Sequence, residues 1–416
     1  MITIKQLDCG TTLIMEKTDY VQSAALGIWV KSGAIHENTG NTGMSHFIAH
    51  MMFKGTEKRT AKEIANAVDM IGGVSNAFTG KEATCYYIKT LSSNIYEGAE
   101  ILIDMVTGSL FDQTEMDKER SVILEEIKMV KDTPDDDVMD TISELVNSGS
   151  PLKMNILGSP ESLAGIDHSV MVDYYRERYS RENMVVAVSG NFDEAKIEAT
   201  FEEKLNSLNR STPIKEMEIK PYEKQFAVKV KDIEQTHICL AVPGVSMTDE
   251  KYYAFVLMNS IFGGSMSSRL FQKIREEKGL AYSVTSMNIF NSFAGFFNIY
   301  AGVAHDKTEE TISAIKDELK LFAIDGVTDE ELSMAKVQIK SMYIFGQENI
   351  NSRMITLGKN KLLIDRVFTP EEVLEGFDKV TSDDILEAAA IVGDHSRYCA
   401  AAVTGQDFDL KGLVEA

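Results

Sequence analysis

Short, continuous apolar runs alternate along this chain with longer stretches in which apolar residues recur every third or fourth position. Ala24-Ala25-Leu26-Gly27-Ile28-Trp29-Val30 and His237-Ile238-Cys239-Leu240-Ala241-Val242 are runs of the first kind and predict strands. Residues 61–70, 95–110 and 312–322 are of the second kind and predict amphipathic helices. Each half of the chain opens on strand-like runs, passes through helices and closes on a strand, Val185–Asn191 in the first half and Ala400–Gln406 in the second. That order predicts an α+β fold, with a mostly antiparallel sheet and helices packed on one face in each half.

Two segments break the apolar pattern in a way that suggests chemistry. Gly43 through Phe53 is apolar nearly all the way round except for His46 and His50, four residues apart. On a helix these stand one turn apart on one face, so both imidazoles can reach one metal ion. Core histidines satisfied by backbone or carboxylate are the plain alternative. A second helix is predicted from a capping box at Thr114-Glu115-Met116-Asp117 and runs on to Lys131 without Gly or Pro. Met116, Val122, Ile123, Met129 and Val130 fall on one side of it, with Glu119 and Glu126 in the middle of that stripe. Carboxylates facing a core need positive company, either a buried Lys or Arg or a metal ion shared with the histidines. Two His nitrogens and one carboxylate oxygen are the donor set of many catalytic zinc sites.

Here the chain resembles the pitrilysin and insulinase zinc metallopeptidases, the inverzincins, whose inverted motif is H-x-x-E-H. In that family a third ligand glutamate lies about 76 residues beyond the second histidine, and another glutamate seven residues before it. Glu126 and Glu119 stand at those spacings from His50. Gly72-Gly73-Val74-Ser75-Asn76-Ala77-Phe78-Thr79 matches the strand that the family lays beside an extended substrate. Ser267 through Phe271 and Arg275 through Tyr282 match the second half, where Arg275 and Tyr282 would reach the substrate. In size and motif content the chain looks most like bacterial relatives of mitochondrial processing peptidase. The resemblance implies one zinc per chain on His46, His50 and Glu126, with Glu119 supporting the site. It also implies peptide contacts at Asn76, Ala77 and Phe78, two domains enclosing a chamber, and a homodimer.

One motif position departs. Ala49 stands where the family carries its general-base glutamate. A methyl group cannot take a proton from water, a role typically worth roughly 10²–10⁴-fold in rate. The expectation is a zinc endopeptidase for extended peptides or unstructured segments that is inactive or nearly so. An otherwise intact site favours an engineered removal of the base over a natural pseudoenzyme. The rival reading is a naturally non-catalytic scaffold or peptide-binding subunit of the same family.

The halves also resemble each other. Phe111–Thr114 before one helix is echoed by Asp325–Thr328 before a capping box ending at Glu331, and the two closing strands match. Two homologous domains, 1–212 and 223–416, joined by a linker at 213–222, follow. In that alignment Ser333 and Lys340 replace Glu119 and Glu126, and Leu257 and Ile261 stand near the places of the histidines. The second copy therefore lacks the metal donors. A length of 416 residues suits two such domains, and 44% apolar residues supply their cores. The net charge of −22 excludes nucleic acid as a partner. Cys9, Cys85, Cys239 and Cys399 are scattered in apolar contexts, which points to reduced thiols. With neither an apolar leader nor a stretch long enough to span a membrane, a soluble cytoplasmic protein of bacterial type is expected.

Overall fold

Two β-sheets form from the strand-like runs. The computed structural model describes residues 2–205, 208, 220 and 222–416. The expected linker 213–222, apart from Lys220 and Tyr222, lies outside the described residues. The first sheet contains β1 (Ile2–Gln6), β2 (Thr12–Lys17), β3 (Ser23–Val30), β4 (Val74–Thr79), β5 (Thr84–Leu91) and β6 (Met184–Gly190), in the order β1-β2-β6-β3-β5-β4. The second contains β7 (Phe226–Val230), β8 (Gln235–Pro243), β9 (Ala281–Phe290), β10 (Gly295–Ala304) and β11 (Cys399–Thr404), in the order β7-β11-β8-β10-β9. Only β2 with β6 and β7 with β11 run parallel; the other neighbours are antiparallel. Read from β2 and from β7, the two orders coincide, which is the duplication in structural form.

The chain divides into two units, each gathering three stretches. The first comprises Met1–Lys128, Met154–Met217 and Phe345–Val367; the second comprises Met129–Lys153, Glu218–Ile344 and Phe368–Ala416. They differ from the contiguous halves 1–212 and 223–416 because each takes one helix from the other half of the sequence.

In the first unit one face of the sheet packs against a helical layer that includes Met44–Met51 and Ile95–Gly108, with Leu13, Leu26, Ile28, Phe47, Ile88 and Leu102 at zero exposure. The other face is covered by the Ile350–Ile364 helix, whose Met354 and Leu357 meet Ile14, Ala25, Trp29, Cys85 and Ala187. A bidentate ion pair from the buried Arg353 to the partly buried Glu16 of β2 ties that helix down. In the second unit Tyr252–Phe262, Thr308–Asp325 and Ser382–Val392 form the main helical layer. The Pro134–Val146 helix covers the opposite face through Val138, Ile142 and Val146 against Cys239, Ala241, Ala401 and Val403. Its Asp137 holds Lys229 and Lys231 at 2.7 Å each. The one-sided helical layer expected from sequence is present in both units, and a single further helix seals the second face. That sealing explains why β3 and β6 read as unbroken apolar runs rather than alternating ones.

No helix among the described residues is long and apolar enough to cross a membrane.

Trp29, the only tryptophan, marks how closely the Ile350–Ile364 helix is seated. A Cβ on Gly358 would lie 2.1 Å from its indole Nε1. Gly358→Ala is expected to cost about 1–3 kcal/mol through overpacking and to shift the Trp29 emission. Urea unfolding followed by fluorescence reads both, and an unchanged midpoint and spectrum would contradict this packing.

Candidate metal centre

The Met44–Met51 helix is held by the core, with Met44, Ser45, Phe47, Ile48, Ala49 and Met51 all buried. Gly43 begins it at φ +89°, where an added Cβ would meet the Leu157 carbonyl oxygen at 2.6 Å. Gly43 has no side chain to cap the first turn, and the carboxylate of Glu37 accepts hydrogen bonds from the N–H groups of Gly43 and Ser45 at 2.7 Å each. His46 and His50 follow one turn apart, their ring centres separated by 4.6 Å.

The opposing helix spans Gln113–Asp132. Two expectations for it are corrected. Asp112, not Thr114, caps its start, accepting from the N–H groups of Thr114 at 2.9 Å and Glu115 at 3.1 Å. The buried stripe is Met116, Glu119, Ile123 and Ile127, whereas Val122 and Met129 are exposed. A 100° step ranks positions by angle only, and the core contacts one narrow side of this helix. By contrast, the capping box from Thr328 to Glu331 in the second half forms as expected.

Three donor atoms, one each from His46, His50 and Glu126, lie within 4.8 Å of one another, the one such group among the described residues. His46 Nε2 is 3.0 Å from Glu126 Oε2, and His50 Nε2 is 3.7 Å from Glu126 Oε1. His50 Nδ1 faces Glu119 Oε2 at 3.0 Å. Glu119 is 6% exposed, and its other oxygen takes the Lys54 ammonium at 2.6 Å. Burial works to raise the Glu119 carboxyl, but the hydrogen bonds and charges of Lys54 and His50 outweigh it and leave the pKa below 4.5. Glu119 is therefore an acceptor, so His50 Nδ1–H donates to it. That hydrogen bond orients the ring and turns Nε2 toward Glu126. Burial, opposed by Glu126, lowers the pKa of His46 from 6.5 and keeps that ring neutral at pH 7. Two imidazole nitrogens and a carboxylate oxygen converging in this way fit a zinc ion.

Lys54 was missed by sequence reading. A buried cation for Glu119 was one of two open alternatives, and the structure supplies both a cation and the histidine. Ala49 lies between the histidines with 6% exposure, so its methyl is packed into the core rather than standing at an open surface.

β4 is the last strand in its sheet, with Asn76 exposed, Ala77 half-buried and Phe78 exposed, and Phe78 stacks edge-on to Trp29 at 5.4 Å. The Met44–Met51 helix packs against that strand. In the second unit Arg275 sits on a π-helical turn, Phe271–Glu277, and its guanidinium lies 5.6 Å from the ring centre of Tyr282, which is 77% exposed. Leu257 and Ile261 are buried apolar residues there, and Lys340 pairs with Asp378.

Residues 12–160 match the family described as Insulinase (Peptidase family M16), and residues 165–339 match the Peptidase M16 inactive domain. The Bacillus subtilis zinc protease YmxG is 36% identical over 384 residues, covering 92% of this chain and 94% of its own length. A zinc protease of Rickettsia felis is 36% identical over 411 residues, covering 99% and 98%. Among solved structures, an M16 inactive-domain protein from Pseudomonas fluorescens shares the fold with a TM-score of 0.90 at 17% identity, over 98% of both chains. A protease from Helicobacter pylori gives 0.89 at 20% identity, over 97% of this chain and 99% of its own. Paired sheets and an N,N,O donor set, with relatives of this kind, define the class as zinc metalloprotease. The chain belongs to peptidase family M16, the insulinase family.

Lys54→Met should lower the stability of the metal-free chain by about 1 kcal/mol at pH 7, since Lys54 is partly exposed. Because the Glu119 pKa is depressed, the pair stabilises above that value and its contribution disappears as acid takes the carboxylate through it. The difference between the two chains should therefore be largest near neutrality and shrink as the pH falls through the depressed Glu119 value. Urea unfolding across that range checks it; equal stability at pH 7 would remove Lys54 from the network.

Proposed function

We propose that this chain is a zinc-dependent endopeptidase by design of its site, acting on extended peptides or unstructured segments, and inactive or nearly so because Ala49 lacks a base. The observation that carries this reading is the convergence of His46, His50 and Glu126 with a methyl group at residue 49. Those three side chains would hold one zinc, which when bound supplies a Lewis acid and makes a water acidic near neutral pH. Glu119 orients His50 through the Nδ1 hydrogen bond. The edge position of β4 supports backbone pairing of a peptide with Asn76, Ala77 and Phe78 by strand addition. Arg275 and Tyr282 would fix the peptide backbone or polarise the scissile carbonyl. A homodimer in a bacterial cytoplasm, with cleavage inside the chamber that the family resemblance implies, completes the proposal. A naturally non-catalytic scaffold or peptide-binding subunit of the same family is the alternative reading.

Freshly purified protein supplied with zinc should carry about one ion per chain by elemental analysis. His50→Ala and Glu126→Gln should lose most of it, while Glu125→Gln, exposed and paired to Lys128, should not. Zinc retained by both ligand variants would refute the site.

Ala49→Glu should raise kcat by roughly 10²-fold or more against unstructured peptides, since the new carboxylate can accept a proton from the attacking water and return it to the leaving amine. In that background Tyr282→Phe should reduce kcat/KM without changing zinc content. Cleavage of a diverse peptide library, with and without chelator, reads the outcome. A folded, zinc-loaded Ala49→Glu protein that cuts nothing would leave the non-catalytic reading standing.

A further inference from the structure

Glu37 has no place in the proposed chemistry, yet it is among the most enclosed carboxylates in the chain, at 8% exposure. It follows the short 3₁₀ turn Ala34–His36 and reaches forward to the first turn of the Met44–Met51 helix. A helix start leaves N–H groups without intrahelical partners, and its positive end favours an anion. Glu37 answers both needs at once, with Oε2 on the Gly43 N–H and Oε1 on the Ser45 N–H. The helix is only eight residues long, too short to be stable by propensity, so its anchors decide where its side chains stand. The two residues pinned by Glu37 lie just before His46, and His50 follows one turn later.

The surroundings are polar but closed. The hydroxyls of Ser32, Ser45 and Tyr174 form a triangle with edges of 3.2 to 3.3 Å. His36 on the same turn is kept neutral, pushed down to about 4 by burial first and then by the charges of Arg178 and Lys31. Tyr174 is pushed up to about 12 by burial and by Glu37 itself. Burial likewise pushes the Glu37 carboxyl up to about 7, against the pull of the N–H groups it accepts from. Its ionised form is thus held at some cost to folding, within reach of neutral pH.

We infer that Glu37 is a positioning residue for the metal centre: its carboxylate clamps the first turn of the histidine helix and so sets His46 and His50 against Glu126. This rests on the reading that those three residues hold zinc. The sign of the pH effect follows from the raised carboxyl. Ionised Glu37 burdens the fold above about pH 7, so removing its charge there should not weaken folding. Its loss should instead be felt in the alignment of the ligands.

The test is Glu37→Gln, comparing zinc affinity by chelator competition at pH 8 and pH 6, with urea unfolding of the metal-free protein alongside. Zinc binding should weaken several-fold at pH 8, with metal-free stability unchanged or raised. The gap should narrow at pH 6, where the carboxyl of the unaltered chain is itself mostly protonated. Equal affinities at pH 8, a gap that is the same at both pH values, or a loss of affinity matched by loss of stability would overturn the inference. If Glu37→Gln does not fold, Glu37→Asp keeps the charge on a shorter side chain. It should bind zinc more weakly than the unaltered chain at pH 8 and approach it at pH 6, and affinity equal at pH 8 would again overturn the inference. Absence of zinc from the unaltered chain at both pH values would instead bring down the metal reading itself, and this inference with it.

Discussion

A carboxylate taken out of water must be met by positive or donating groups, and Glu119 is where that requirement organises the site. One of its oxygens is met by Lys54 and the other by His50 Nδ1. The consequence runs outward from there. With Nδ1–H committed to Glu119, His50 can present only Nε2 toward Glu126, and its ring plane is set by that hydrogen bond. Glu119 and Glu126 ride on one helix, His46 and His50 on the other, and Lys54 follows directly after the histidine helix. The Lys54–Glu119–His50 chain therefore sets how the two helices face each other, and the open donor atoms are placed by it.

The scaffold beneath depends on sealing each sheet on both sides. A sheet carrying unbroken apolar strands such as β3 and β6 would be costly with one face in water, at roughly 25 cal/mol for each Å² left exposed. The Ile350–Ile364 helix removes that cost in the first unit and the Pro134–Val146 helix in the second. Each is also fixed by ions, Arg353 on Glu16 and Asp137 between Lys229 and Lys231. Such pairs add little net stability compared with apolar packing, but they reject a shifted register.

Much of this was legible in the sequence, and what was not is informative. The strands, the histidine helix and the glutamate spacing were readable because each is a local pattern with a period. The expectation was a sheet covered on one face; the unbroken apolar run Ala24–Val30 fits burial on both, but nothing local says which helix covers the second face. That choice is made by packing across three hundred residues. The buried side of the Gln113–Asp132 helix was misjudged for the same reason: Val122 and Met129 are apolar, yet what contacts a helix is decided by its neighbours. Asp112 displaced Thr114 as the cap because an aspartate two residues earlier takes the N–H groups of both Thr114 and Glu115. Lys54 and Glu37 act through space on polar atoms, and their neighbours in sequence give no periodic sign of it.

The duplicated architecture provides its own control on which polar residues the fold needs. By the alignment of the two halves, Leu257 and Ile261, both buried, stand near the places of the histidines, and Lys340, aligned with Glu126, pairs with Asp378. The same strand order and helical layer form there without a single metal donor from those positions. Building this architecture therefore does not demand His46, His50 or Glu126, and their burial or partial burial in the first unit is a burden that packing alone would not select. By the same alignment Ser260 falls near the place of Ala49, and its hydroxyl is bonded to Gln338 at 3.1 Å. A polar side chain is thus tolerated at this point of the fold when it finds a partner.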